Sequence, residues 1–321
     1  MTRRCVIVLN PVSGRGSGAR HRPELERLLR AASEAQTVPE ALEWKIVETT
    51  RAGEATALAA RAAEDGAEIV AAAGGDGTLS DVLNGTVGTS AQLALLPLGT
   101  GNDFARTVGL YGNLRLAVDA LFRGVPKSID IGRVHNRYFL NVAGCGFDAV
   151  VAEQANRGPK WLTGAPAYVA AILGALASFR PTDLRLTLDG KTRTVRAMLC
   201  SIANARTYGG GMQIAPNAQL NDGLFDLCLL SECSKLEFLL AFPQVFRGTH
   251  TSHPKITMLH ARTVKIESEQ PVALLVDGEV IGTTPAEFTI CYNAIRFLFP
   301  HRTLSIHEDH LHSRLKAVPK S

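Results

Sequence analysis

The strand-like run Glu68-Ile69-Val70-Ala71-Ala72-Ala73 ends in Gly74-Gly75-Asp76-Gly77-Thr78, and a helical pattern follows from Leu79 to Val87. Three glycines around one carboxylate are poor packing material. Glycine weakens strands and helices alike, and it is used where backbone bends sharply or approaches another group closely. A carboxylate in such a turn, beside the N–H groups of a following helix, suits a phosphate and its metal. The plainer reading is a glycine-rich turn with an aspartate cap. Both readings demand strand, turn and helix in succession.

The rest of the first half repeats that succession. Cys5 to Leu9, Trp44 to Glu48, Glu68 to Ala73 and Gln92 to Leu96 read as strands. Between them lie a helix starting near Pro23 with Leu25, Leu28 and Leu29 on one face, an alanine-rich helix Gly53 to Glu64, and the helix from Leu79. A further helix spans Asn113 to Phe122. This alternation implies a doubly wound parallel sheet whose ligands bind beyond the carboxyl ends of the strands. Three glycine-rich loops follow strands and should face one crevice: Asn10 to Gly18, Gly74 to Thr78, and Pro97 to Arg106.

After about Lys127 the texture changes. Strand-like segments dominate: Tyr138 to Ala143, Leu184 to Leu188, Val195 to Ala203, Leu224 to Leu230, Val264 to Glu267, Val272 to Val276 and Phe288 to Cys291. Turn signals at Asp189-Gly190, Asn221-Asp222-Gly223 and Asp277-Gly278 punctuate them. Helices are expected near Ala165 to Phe179 and Leu236 to Phe246. The fold class is therefore α/β plus β: an α/β domain over 1–130, an antiparallel β-rich domain over 131–298, and a tail over 299–321 that packs back on the first domain. The tail holds four of the nine histidines, His301, His307, His310 and His312, whose spacing fits a polar terminal helix better than a metal site.

Composition excludes several classes. With 46% hydrophobic and 20% charged residues the chain is globular, and 321 residues favour two domains. A net charge of +4 without a dense basic run gives no footprint for nucleic acid. The six cysteines are dispersed, lack a CxxC pair, and read as reduced core residues of a cytoplasmic protein. No stretch approaches the ~20 apolar residues of a membrane span, so contact with lipid would be peripheral, at the inner membrane face.

The loops carry the chemistry. The first contains Asn10-Pro11-Val12-Ser13-Gly14; the third reads Pro97-Leu98-Gly99-Thr100-Gly101-Asn102-Asp103-Phe104-Ala105-Arg106. No GxxxxGK[ST], no HRD and DFG pair and no opening GxGxxG is present, so P-loop, protein-kinase and dinucleotide folds drop out. Together the loops resemble the catalytic domain of diacylglycerol kinases, a family that also includes sphingosine and ceramide kinases and the soluble bacterial lipid kinases. The resemblance continues through Tyr208-Gly209-Gly210-Gly211-Met212, Ala215-Pro216-x-Ala218, Asn221-Asp222-Gly223-Leu224-Phe225-Asp226 and Asp277-Gly278-Glu279. It covers nearly the whole chain, in the compact bacterial form. The GGDGT element alone is shared with NAD kinases; the Pro97–Arg106 segment makes the combination specific.

The resemblance implies a nucleotide-binding α/β domain joined to a β-sandwich-like domain, with the active site in the cleft between them. It implies ATP on Asn10, Pro11, Ser13 and Gly14, on Thr49 or its neighbour Thr50, on Gly74, Gly75, Asp76, Gly77, Thr78, Leu79 and Ser80, and on Thr100, Asn102 and Asp103. Glu279 corresponds to the proton acceptor, with Asp277 beside it. A structural Mg2+ site corresponds to Asp222 with main-chain oxygens of Gln219 and Leu224, while Asp76 and Asp103 are the candidates for the catalytic Mg2+. Where many relatives read Asn-Glu after GGDGT and one hydrophobic residue, this chain has Ser80-Asp81. The expected reaction is transfer of the γ-phosphate of ATP to a hydroxyl of diacylglycerol or a related lipid at the membrane surface. Alternatives are an NAD-kinase-like phosphotransferase and a non-catalytic nucleotide- or lipid-binding regulator. The Asp277-Gly278 pair also has the pattern of a plain hairpin turn. Whether the chain forms a homodimer stays open.

Overall fold

The computed structural model describes residues 2–35, 41–157 and 165–301. The chain divides into two units: one runs to Lys127 and resumes at Arg296, and the other is Ser128–Ile295. The expected limits were 130 and 298. His307, His310 and His312 of the tail lie outside the described residues.

The first unit begins β1 (Arg3–Leu9), α1 (Ser13–Glu34), β2 (Leu42–Glu48), α2 (Glu54–Glu64), β3 (Ile69–Gly74), α3 (Asp76–Thr86) and β4 (Gln92–Pro97). The short α4 (Asp103–Thr107) and α5 (Leu114–Arg123) follow. The strands lie in the order β2, β1, β3, β4, all parallel. Every residue of β3 is buried, as a central strand with both faces covered requires. Asn113 caps α5 by accepting the N–H of Leu116.

Two helix starts differ from the sequence reading. Pro23 lies inside α1, not at its first turn. Gly14, Arg15 and Gly16 have φ of 54°, 59° and 82°, so the regular helix begins just past them. The N–H that Pro23 lacks would have bonded Ala19; both residues are exposed, where a missing ladder bond is tolerated. Helix α3 begins at Asp76 because Asp76, Gly77 and Thr78 form its first turn without contributing to the apolar period.

The second unit contains β5 (Val125–Val134, begun at the unit limit), β6 (Arg137–Phe139), β7 (Val142–Gly146), α6 (Phe147–Arg157), α7 (Ala165–Ser178), β8 (Thr182–Leu188) and β9 (Lys191–Ala203). It continues with β10 (Phe225–Ser231), α8 (Lys235–Ala241), two 3₁₀ turns over Phe242–Arg247 and Thr249–Ser252, β11 (Ile256–Ala261), β12 (Thr263–Ser268), β13 (Ala273–Val276), β14 (Glu279–Thr283) and β15 (Ala286–Phe299). The path β14, β13, β7, β9, β8, β12, β15 is antiparallel throughout, with β10 joining β9 to β11. One core gathers around Phe139, Phe225 and Phe288, with the first two rings stacked at 5.7 Å. A second gathers residues of α6, α7 and α8 around Phe147 and Phe238. The expected strand Tyr138 to Ala143 is broken at Leu140-Asn141. The helix expected over Leu236 to Phe246 tightens to 3₁₀ at Phe242, because Pro243 cannot donate to the α-helical ladder.

Past Arg296, β15 belongs to the first unit, where Phe297 pairs in parallel with Leu93 of β4. All six cysteines are free thiols, four of them buried. No helix among the described residues is long and apolar enough to cross a membrane.

Candidate active site

In the first unit the three glycine-rich loops meet. Asn10, directly after β1, donates from Nδ2 to Thr78 Oγ1 at 3.1 Å, and its Oδ1 accepts the N–H of Val12. That bond ties the first loop to the second. Asp76 Oδ1 accepts the N–H of Phe104 at 3.1 Å, which ties the second loop to the third. A side chain on Gly99 would put its Cβ 2.3 Å from Gly75 Cα, and one on Gly14 would sit 2.7 Å from the carbonyl oxygen of Leu98. Glycine is required at both because backbone touches backbone there.

Several expected ligands have structural duties as well. Asn102, at φ 49°, accepts the N–H of Gly99 with Oδ1 and donates back to the Gly99 carbonyl at 2.7 Å, closing its own loop. Thr50 gives its N–H and its hydroxyl to Glu54 Oε2, at 2.6 and 2.9 Å, which holds the Glu54 carboxyl below its usual range. Thr50 is thereby tied to the side chain of Glu54, the first residue of α2. Thr49 is buried, with its N–H on the Leu9 carbonyl. Thr100 and Gly77 are exposed, Pro11 and Asp76 partly so, and Leu79 is fully buried.

Two atoms point to a missing partner. Ser13 Oγ and Ser80 Oγ are buried without a hydrogen-bond partner. Buried hydroxyls are normally satisfied, and a phosphate-bearing ligand would satisfy these. The first-turn N–H groups of α3, at Asp76, Gly77 and Thr78, have no acceptor within the helix and add donors.

In the second unit Asp277 and Gly278 have φ of 46° and 88°, the geometry of a tight hairpin turn between β13 and β14. The Asp277 carboxylate faces inward. Oδ1 accepts the N–H groups of Asn141 and Val142, and Oδ2 that of Leu140, at 2.9 to 3.2 Å. These are the residues at the break between β6 and β7, so Asp277 replaces the ladder there. Glu279 is half-exposed and ion-paired with Arg137 Nη2 at 2.6 Å. Nothing local in the sequence marks Arg137, which lies on β6.

The loop of Gln219, Asp222 and Leu224 is organised by Asp130, a residue the sequence did not single out. Its N–H donates to the Leu220 carbonyl, and its carboxylate accepts the N–H groups of Gly223 and Asn293, both at 2.7 Å. Burial pushes the Asp130 carboxyl up against the pull of those two donors. Asp222 Oδ1 accepts the N–H of Leu224. Among the described residues no group of three or more His, Cys, Asp or Glu gathers to hold a metal. A Mg2+ at Asp222, or at Asp76 and Asp103, would draw further oxygens from main chain, water or phosphate, as Mg2+ commonly does.

The second unit also contains a partly open pocket of about 700 Å³, counting solvent at its mouth. Phe147, Val151, Ile172, Leu199, Phe238 and Phe242 line it, with Asp148 and His250 among them. No sequence pattern separates such residues from core.

Residues 4–134 match the diacylglycerol kinase catalytic domain, and residues 141–299 match the YegS C-terminal NAD kinase beta sandwich-like domain. A diacylglycerol kinase of Bacillus subtilis (strain 168) is 34% identical over 302 residues, covering 93% of this chain and 97% of its own length. One from Mycobacterium tuberculosis (strain ATCC 25618 / H37Rv) is 36% identical over 256 residues, 78% of this chain and 82% of that one. The crystal structure of a diacylglycerol kinase from Bacillus anthracis str. Sterne superposes with a TM-score of 0.70 at 22% identity, covering 94% of this chain and 98% of that one. The fold, the ordered motifs and these relatives agree, and the chain belongs to the diacylglycerol kinase family, as a lipid kinase with an α/β catalytic domain and a β-sandwich-like second domain.

Proposed function

We propose that the chain transfers the γ-phosphate of ATP to the free hydroxyl of diacylglycerol or a closely related lipid, with Glu279 as proton acceptor and Mg2+ required. The observation that carries the nucleotide half is the junction of the three loops, with the buried hydroxyls of Ser13 and Ser80 left for a ligand. Ser13, Ser80 and the first-turn N–H groups of α3 donate to phosphate oxygens and neutralise charge as it shifts. Asp76 and Asp103 would hold Mg2+, which would supply charge neutralisation on the phosphates. A lipid alcohol is a weak nucleophile at neutral pH. Glu279, oriented by Arg137, takes the hydroxyl proton as the lipid oxygen bonds to the γ-phosphorus and the bond to the ADP oxygen breaks. Asp277 fixes the turn that carries Glu279.

The lipid half draws on the relatives' activity and on the apolar pocket of the second unit. The outer side of the same elements supports contact with a bilayer. Leu236 and Leu240 of α8 are 68% and 70% exposed, and Leu239 and Phe246 are exposed beside them. On the inner side Phe238 and Phe242 line the pocket. An element apolar on both sides, one toward a lipid pocket and one toward solvent, fits the interface of a membrane. ATP is cytoplasmic, so the docking is peripheral and on the inner face.

Radiolabelled ATP and mixed micelles of candidate lipids test the reading. Diacylglycerol should be phosphorylated; normal ATP binding without phosphorylation of any lipid would overturn it. Glu279→Gln should abolish turnover and spare ATP binding, and near-normal turnover would remove Glu279 as the base.

A further inference from the structure

The pocket of the second unit is almost entirely apolar, yet two of its polar side chains keep a buried atom without a hydrogen-bond partner. These are Asp148 Oδ2 and His250 Nδ1. Asp148 stands in the first turn of α6, and its Oδ1 accepts the N–H of Ala149 at 2.8 Å. His250 is 3% exposed, and its Nε2 lies 3.2 Å from the carbonyl oxygen of Ile214. A carbonyl only accepts, so the Nε2 carries the proton and the neutral ring presents Nδ1 as an acceptor. Leaving either atom unmatched in an apolar wall is costly, and native structures rarely do so.

We propose that Asp148 is a specificity-determining residue that donates a hydrogen bond to an ester carbonyl of an uncharged acyl lipid whose chain fills this pocket. The inference rests on the lipid-kinase reading above and narrows its substrate to acyl esters without a cationic head. A water beside the ester satisfies His250 Nδ1.

The chemistry of the wall favours a neutral ligand. Burial pushes the Asp148 carboxyl up to about 7, so near neutrality much of it is the acid, with an O–H to donate. The thiols and the imidazole of His250 around it are held toward their neutral forms. Burial pushes the Cys200 and Cys228 thiols up to about 12 and Cys145 well above its usual value. Cys233 is also raised by burial, and burial lowers His250 toward the neutral ring. His253, on the same wall, lies 3.8 Å from Glu237 Oε1. A carboxylic acid beside neutral thiols and a neutral imidazole matches a carbonyl oxygen. A long-chain base bearing an ammonium would demand the carboxylate instead.

The test is the pH dependence of lipid KM with dioctanoylglycerol in mixed micelles, with ATP KM followed in parallel. As Asp148 ionises it loses its donor and turns a negative oxygen toward the ester. Lipid KM for the wild type should therefore rise several-fold between about pH 6 and about pH 8.5, while ATP KM does not follow it. Asp148→Asn keeps an N–H donor and cannot ionise, so its lipid KM should be flat over the same range. Asp148→Leu removes the donor and should raise lipid KM about tenfold at the acid end with kcat changed far less. A wild-type lipid KM that is flat with pH, or an unchanged slope in Asp148→Asn, would overturn the role of Asp148 and leave the lipid kinase standing. A long-chain amino alcohol phosphorylated in preference to the glycerolipid would also overturn it. A wild type that phosphorylates no lipid at any pH would remove the lipid-kinase reading and this inference with it.

Discussion

Asp277 and Glu279 stand two residues apart in one hairpin and do different work. Asp277 accepts three main-chain N–H groups from Leu140, Asn141 and Val142, whereas Glu279 is half-exposed beside Arg137. Asp277→Ala leaves three donors without an acceptor and should cost on the order of 3 kcal/mol, seen as a fall in the denaturation midpoint. Glu279→Gln should leave that midpoint within about 0.5 kcal/mol of wild type while turnover is lost. The hairpin itself was legible, because Asp-Gly between alternating apolar residues specifies it. The division of labour was not, since the partners of Asp277 lie far upstream and no local pattern names them. Asp148 was hidden for a similar reason: only the fold makes it a buried acid. Its raised carboxyl gives stability that is fully present below the ordinary aspartate range and is lost as pH rises through about 7. Asp148→Asn should remove that loss, on the order of 3 kcal/mol, in denaturation midpoints measured across the same pH range.

The parallel strands and the helices between them could be read from the chain because each is either continuously apolar or periodic. Where an element is short or interrupted, the pattern failed. Helix α4 is five residues long, and β6 and β7 are parted by the Asp277 contacts. Pro126 and Lys127 disguise the start of β5, and β11 is only partly buried, so its outer face carries no clear alternation. Helix α8 shows how an element can serve beyond packing. Its capping box, Ser234 with Glu237, holds the first turn without help from the exposed leucines. Leu236→Glu with Leu240→Glu should therefore leave the fold and turnover of a short-chain lipid in detergent intact. The pair should weaken partitioning onto vesicles of anionic phospholipid, read by sedimentation, by about a hundredfold or more, as expected for losing two inserted leucines at about 1.5–3 kcal/mol each. Equal sedimentation of variant and wild type would exclude α8 as the docking element.

The first unit is not continuous in the chain: it runs to Lys127 and resumes at Arg296. Its sheet gains Phe297 beside Leu93, and the Phe297 ring meets Phe104 at 5.2 Å and Phe299 at 5.3 Å. Phe297 is fully buried. Phe297→Ala should cost about 3–5 kcal/mol, read by chemical denaturation, although the residue lies far along the chain from its ring partner Phe104. A tail returning to the first domain was expected from residue 299; the return begins at Arg296 and as a paired strand, which stayed hidden because Phe288 to Cys291 reads as one short strand and the pairing with β4 is parallel and remote. An order of synthesis follows. A ribosome releases the amino-terminal half first, and most multidomain chains fold in that direction. Here the second unit is emitted whole while the first still lacks its closing strand. The second unit can mature on its own schedule, and the first has to wait for the residues from Arg296 onward.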